Sequence, residues 1–175
     1  MHFSLPGLAP RSKSLLPQAL GFLANSTLHQ ELLLSPKSGH ILAPSSSSLR
    51  RISITANLHT CLPYISNPKG IGMDYALFSA PSSMVRDGFY KYWNLFDVLV
   101  DAIYVAVEKY GGNNVEVVVS ETGWPSAGET AATVQNAKIF INNLIQLVKG
   151  GTPRRPERLV EAYIYNLIVE DLKKP

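Results

Sequence analysis

Residues 115–128 read VEVVVSETGWPSAG, an apolar β-branched run that closes on a carboxylate, Glu121, with Gly123, Trp124 and Pro125 directly behind it. Side chains alternate along a strand, so Val115, Val117, Val119 and Glu121 are expected on one face and Glu116, Val118 and Ser120 on the other, with Glu116 at the solvated entrance. A carboxylate at the end of an apolar row is partly desolvated, which costs free energy unless the group is bonded, paired or used chemically. Two uses are open at this point. Glu121 is structural, capping a helix or pairing an arginine. Alternatively it is reactive, and the turn at 122–125 sets Trp124 beside it. An aromatic plate for a sugar ring and a carboxylate for its anomeric carbon are what glycoside chemistry needs.

Few other residues compete for a chemical role. His2, His29, His40 and His59 have no metal-ligand spacing, and the single Cys61 excludes an internal disulfide and a cysteine-built zinc site. No metal and no cofactor are expected. Gly123–Gly128 lacks the Gly-x-Ser-x-Gly pattern, so Ser126 is not a nucleophile on a strained elbow. Gly111-Gly112 reads as a helix stop, and Arg154, Arg155 and Arg158 read as a solvated basic loop. Tyr64, Phe78, Tyr90, Tyr92 and Trp93 are available to line a sugar cleft, with packing the better account of Trp93.

The elements that must hold Glu121 follow from periodicity. Residues 52–58 suit a short strand, with a loop over 60–67. Residues 91–110 suit a helix with an apolar face of Phe96, Leu99, Ile103 and Val107 and a polar stripe of Asp97, Asp101 and Glu108. Residues 115–121 make a strand without clean alternation, which suggests burial on both faces in a parallel sheet. A second helix is expected over 129–149, ended by Gly150-Gly151, and a third strand over 162–169. The order strand, helix, strand, helix, strand demands crossovers between parallel neighbours, so residues 52–175 form an α/β domain. The C-terminal ends of such strands form the ligand face, where Glu121 falls.

Residues 1–51 differ in kind. They hold five prolines and the run Ser45–Ser48 without periodicity, and are expected to be an irregular or disordered leader. They show no clear secretory signal, and Asn25-Ser26-Thr27 is a lone glycosylation sequon. The pI of about 9.0 arises there: residues 1–60 carry five Lys/Arg against one acid, and residues 61–175 carry eleven against twelve. A basic excess outside the periodic region is no basis for nucleic-acid binding. No apolar run of 18 residues is present, so no membrane span is expected.

VVVSETGWPSAG resembles the signature of the plant glucan endo-1,3-β-glucosidases, glycoside hydrolase family 17. NLHTCLPYISNP (57–68), DYALF (74–78), NLFDVLVDAIY (94–104), AATVQNAKIFINNLI (131–145), GGTPRRP (150–156) and EAYIYNLIVED (161–171) resemble further family segments in family order. The resemblance implies a (β/α)₈ barrel that cleaves internal β-1,3-glucosidic bonds with retention, a secreted or vacuolar location, and a β-1,3-glucan substrate. It implies that Glu121 is the nucleophile, that Glu161 and Glu170 support it and bind glucose hydroxyls, and that Asn57, Tyr64 and Trp124 bind substrate. The family acid/base lies on an earlier strand. A barrel needs about 250 residues, so the chain is expected to supply the last three strands with their helices, to lack the acid/base, and to turn over little or not at all. A glucan-binding fragment without turnover is the alternative. Departures from the family pattern include His59, Thr60 and Cys61 where Tyr-Pro-Tyr is usual, Ile141 for a usual Asn, and Val169 before Glu170.

Overall fold

The computed structural model describes residues 53–128 and 130–165. The expected leader over 1–51, its sequon, Glu170 and the far end of the strand expected over 162–169 lie outside the described residues. Three strands, β1 (Ser53–Asn57), β4 (Glu116–Thr122) and β7 (Glu161–Ile164), form a parallel sheet in the order β1-β4-β7. Two helices make the crossovers, α3 (Leu95–Lys109) between β1 and β4 and α4 (Val134–Gly150) between β4 and β7. The α/β reading with parallel neighbours therefore describes the chain. Shorter elements fill the connections. These are α1 (Cys61–Ser66), α2 (Met73–Ala76), a hairpin of β2 (Val85–Asp87) and β3 (Tyr90–Tyr92), and a small ribbon of β5 (Gly151–Thr152) and β6 (Arg155–Pro156).

Three boundaries depart from the sequence reading, one of them the start of α4, expected at 129 and found at Val134, where the Thr133 side chain accepts from the Asn136 N–H. Residues 60–67 are not a loop: Pro63 occupies the first turn of α1, where a missing N–H loses no helical bond. The helix expected from residue 91 begins at Leu95, because Gly88, with φ of +58°, turns β2 back onto β3 and draws 90–92 into the hairpin. Asn94 then caps α3, its Oδ1 accepting from the Asp97 N–H at 2.8 Å.

The sheet has one covered and one open face. Ile54, Ala56, Val117, Val119 and Thr122 are buried, and Ala162 and Ile164 pack against the same core. Ser53, Thr55, Asn57, Val118, Ser120, Glu161 and Tyr163 are half-buried or exposed. Burial of β4 on both faces is thus not observed. An aromatic series runs through the core from Tyr64 to Trp124, Phe140, Phe78 and Phe96, with successive ring centroids 6.0, 6.1, 4.8 and 5.9 Å apart. Phe78 and Tyr92, offered by the sequence as cleft residues, belong to this interior. Trp93 stands half-exposed just ahead of the α3 cap.

Two of the three residues in the polar stripe expected on α3, Asp97 and Asp101, are inside the protein, and Glu108 is half-buried. Every residue from Leu95 to Tyr104 is buried, including Asp97 and Asp101. The segment is apolar almost all round, and such a helix is covered on every side. Its two acids serve as internal acceptors. Asp101 takes bonds from the Tyr92 hydroxyl at 3.0 Å, the Thr152 hydroxyl and the Arg154 N–H at 3.1 Å. The loop carrying those donors is not a solvated basic face either. Arg155 lies 4.0 Å over the Tyr104 ring and bonds Glu108 at 2.8 Å, and Arg158 bonds Glu116 at 2.8 Å. Glu116, expected at a solvated entrance, is therefore paired.

Asp97 gives a pH-dependent prediction. Burial, opposed by a 2.7 Å bond from Asn94 Nδ2 and reinforced by Asp101, raises its carboxyl from 3.8 to about 7. The folded chain then keeps a proton that the unfolded chain releases. The contribution is complete below pH about 4 and is lost as pH rises through about 7. Asp97→Asn is expected to remove roughly 3 kcal/mol of the stability difference between pH 4 and pH 7, read as the change in urea midpoint at the two pH values. An unchanged pH slope in the variant would refute a protonated Asp97.

Gly151 sets how α4 enters the ribbon. Its φ of +73° and ψ of −164° are open to glycine alone, and a Cβ there would collide with the Arg155 carbonyl. Gly151→Ala is expected to destabilise by about 3 kcal/mol or more, measured by thermal or urea unfolding.

Candidate active site

The site is built where the three parallel strands end on the open face. β4 carries one extra residue there. Ala56 pairs with Val119 but Asn57 with Glu121, and on the other side Val119 pairs with Ala162 but Thr122 with Ile164. This bulge at 120–121 resets the alternation. Thr122, not Glu121, continues the buried row of Val117 and Val119, and the expected common face of Val115, Val117, Val119 and Glu121 is corrected accordingly. Glu121 is turned to the open side, its side chain 40% exposed.

Neighbouring strands fix what surrounds it. The Leu58 N–H bonds the Glu121 carbonyl at 2.8 Å, and the Tyr165 N–H bonds the Thr122 carbonyl at 2.8 Å. Each extends its ladder by one residue, which sets His59 and Tyr165 at the rim. His59 lies with Nε2 4.0 Å from Glu121 Oε2, and its ring meets Tyr165 edge-on at 6.0 Å. Burial lowers the His59 imidazole below its usual value, and the Glu121 charge partly restores it. Ser120 donates its hydroxyl to Asn57 Oδ1 at 2.7 Å across the bulge. Thr122 Oγ1, fully buried beneath, finds no hydrogen-bond partner among the described residues.

The other sequence candidates fall into two groups. Asn57 and Glu161 share the open face with Glu121, with Asn57 its direct ladder partner. Glu161 pairs with Val118, further from the rim, and accepts a 2.6 Å bond from the Tyr163 hydroxyl. Tyr64 and Trp124 belong instead to the aromatic series. Trp124 is 7% exposed and donates its indole N–H to the Ala131 carbonyl at 3.0 Å. A ring so enclosed ties the turn after β4 to α4 and offers little face to a sugar, unlike the open plate expected. Neither open alternative for a structural Glu121 is seen among the described residues, for it caps no helix and pairs no arginine. No group of three His, Cys, Asp or Glu side chains among those residues could hold a metal ion, and no helix among them is long and apolar enough to cross a membrane.

The model for glycosyl hydrolases family 17 matches residues 37–175. The chain belongs to this family. Family 17 relatives include a glucan endo-1,3-beta-glucosidase of Vitis vinifera, 49% identical over 120 residues, which cover 69% of this chain and 35% of the relative. A basic vacuolar isoform of that enzyme from Nicotiana plumbaginifolia is 45% identical over 71% of this chain and 34% of its own length. Among solved structures, one of two plant beta-glucan endohydrolases described as having distinct substrate specificities superposes with a TM-score of 0.65 at 48% identity, covering 69% of this chain and 39% of that one. The chain thus spans little more than a third of the length of the family 17 proteins it matches.

Sequence reasoning did not assemble His59, Ser120 and Tyr165 around the carboxylate. His59 entered as a histidine without metal-ligand spacing and as a departure from the family pattern. The signal available was its place just past the end of a strand that runs parallel to β4, since parallel strands deliver their following residues to one rim.

Proposed function

We propose that the chain carries the nucleophile-bearing part of a β-1,3-glucan endohydrolase, folded as the last three strand–helix units of a (β/α)₈ barrel. Glu121 attacks the anomeric carbon to form a glycosyl ester, which water later cleaves. The observation that carries this reading is the bulge, which turns Glu121 alone out of a buried row to the C-terminal rim of a parallel sheet in a family 17 chain. Asn57 and Glu161, on the same face, are placed to bond sugar hydroxyls. Glu170 has the same role by resemblance. The substrate is a β-1,3-glucan, and the location is secreted or vacuolar, as with the vacuolar relative.

Retention requires a second carboxyl about 5 Å from the nucleophile as acid/base. The resemblance places it on an earlier strand. Capture of the nucleophile can take its proton from water: Glu121 attacks an epoxide carbon of an epoxyalkyl β-1,3-glucoside, the ring C–O bond breaks, and the freed oxygen is protonated by solvent. The resulting ester is seen as one added reagent mass on the peptide that contains Glu121. Attachment elsewhere, or none, would refute the assignment.

A further inference from the structure

We propose that His59 is a positioning residue for Glu121 and gates it by pH, its protonated ring pairing with the carboxylate and its neutral ring releasing it. The proposal rests on the nucleophile reading above and adds a titrating partner to it. Three observations carry it. First, His59 is firmly placed: Leu58 before it is buried and bonded to the Glu121 carbonyl, and Thr60 after it is buried with its hydroxyl donating to the Ala76 carbonyl at 2.9 Å. Second, its Nε2 faces Glu121 Oε2 at 4.0 Å, too long for a hydrogen bond but close enough for opposite charges to attract. Third, His59 is the ion-pair partner that Glu121 has among the described residues.

Among the described residues, the surrounding groups leave the pair to itself. From β7 the ring meets the Tyr165 ring edge-on. Glu161 and Tyr163, lower on β7, bond one another. On α1, Cys61 is buried. Burial disfavours the imidazolium, so the ring is neutral at pH 7 and charges only below the ordinary histidine value of 6.5. At acid pH the imidazolium then pairs with the carboxylate and blunts its attack. As pH rises the ring loses its proton and the carboxylate is freed.

The test combines titration with trapping. His59 is followed by imidazole NMR from pH 4 to 8, and the rate of Glu121 esterification by the epoxyalkyl β-1,3-glucoside is measured over the same range. Glu121→Gln should lower the His59 midpoint by at least about half a pH unit, through loss of the facing anion. In the wild type the trapping rate should rise in two steps. His59→Gln should remove the upper step and leave the carboxylate step, with a rate at pH 5 at least about threefold above wild type. His59→Phe should behave likewise if the step is the titration and not a hydrogen bond. An unchanged His59 midpoint in Glu121→Gln overturns the pairing. A shifted midpoint with superimposable trapping profiles overturns the gating. A shifted midpoint with no ester on Glu121 at any pH overturns the nucleophile reading, and the gating with it, while the pairing itself stands.

Discussion

Glu121→Gln lowers the rate of covalent capture by an epoxyalkyl β-1,3-glucoside about 10³-fold or more, to background, and leaves the fold intact. The two side chains have the same shape, but the amide is no nucleophile, and loss of the attacking group removes most of the rate. The fold should not register the change, because the carboxylate is substantially exposed and anchors no hydrogen bond among the described residues. What positions residue 121 is its backbone carbonyl, bonded to Leu58, which the substitution keeps. Stability within about 0.5 kcal/mol of wild type is expected. Glu161→Gln is the comparison. It lies on the same open face but further down the sheet, so its loss should slow capture about tenfold without abolishing it. Equal loss in both variants, measured by mass spectrometry of the intact chain over time, would remove the distinction between attacker and auxiliary.

The largest effect on stability is expected at Asp101, which has no part in the chemistry. Its carboxylate is fully buried in the middle of α3 and accepts from Tyr92, Thr152 and the Arg154 N–H. These donors come from the hairpin before the helix and the ribbon after α4, so one side chain joins three parts of the chain. Asp101→Ala leaves two buried hydroxyls and a backbone N–H without their acceptor. Each orphaned donor costs about 1–3 kcal/mol, so a loss of about 4 kcal/mol is expected. Asp101→Asn keeps the shape and part of the bonding and should lose about half as much. Burial raises the Asp101 carboxyl while these bonds lower it, and removing the donors one at a time should expose that balance. The check is the urea midpoint of each variant at pH 6. A shift below about 1 kcal/mol in Asp101→Ala would show that water replaces the acceptor.

What could be read from the sequence depended on how local the cause was. The run EVVV and its Gly-Trp-Pro stop declared a strand and its end, and the Gly111-Gly112 and Gly150-Gly151 pairs declared where the helices finish. The α/β order followed from these alone. The face that Glu121 takes did not, because the bulge arises from register with Asn57 on one side and Ile164 on the other. Asp97 and Asp101 looked solvated because their spacing fits a surface stripe. Two donors to Asp101 lie more than fifty residues along the chain, beyond any periodic pattern. Trp124 was placed in the right turn and given the wrong exposure. Nothing in Gly-Trp-Pro indicates that Tyr64 and Phe140 come from separate helices to cover the ring.

The rim residues are held by main-chain bonds at Leu58 and Tyr165, and substitution of their side chains does not touch those bonds. Positions 59 and 165 are therefore free to change chemical character while keeping their distance from the carboxylate. A lineage carrying this scaffold can trade one neighbour of the attacker for another, and retune the acidity at which it works, without rebuilding the architecture beneath.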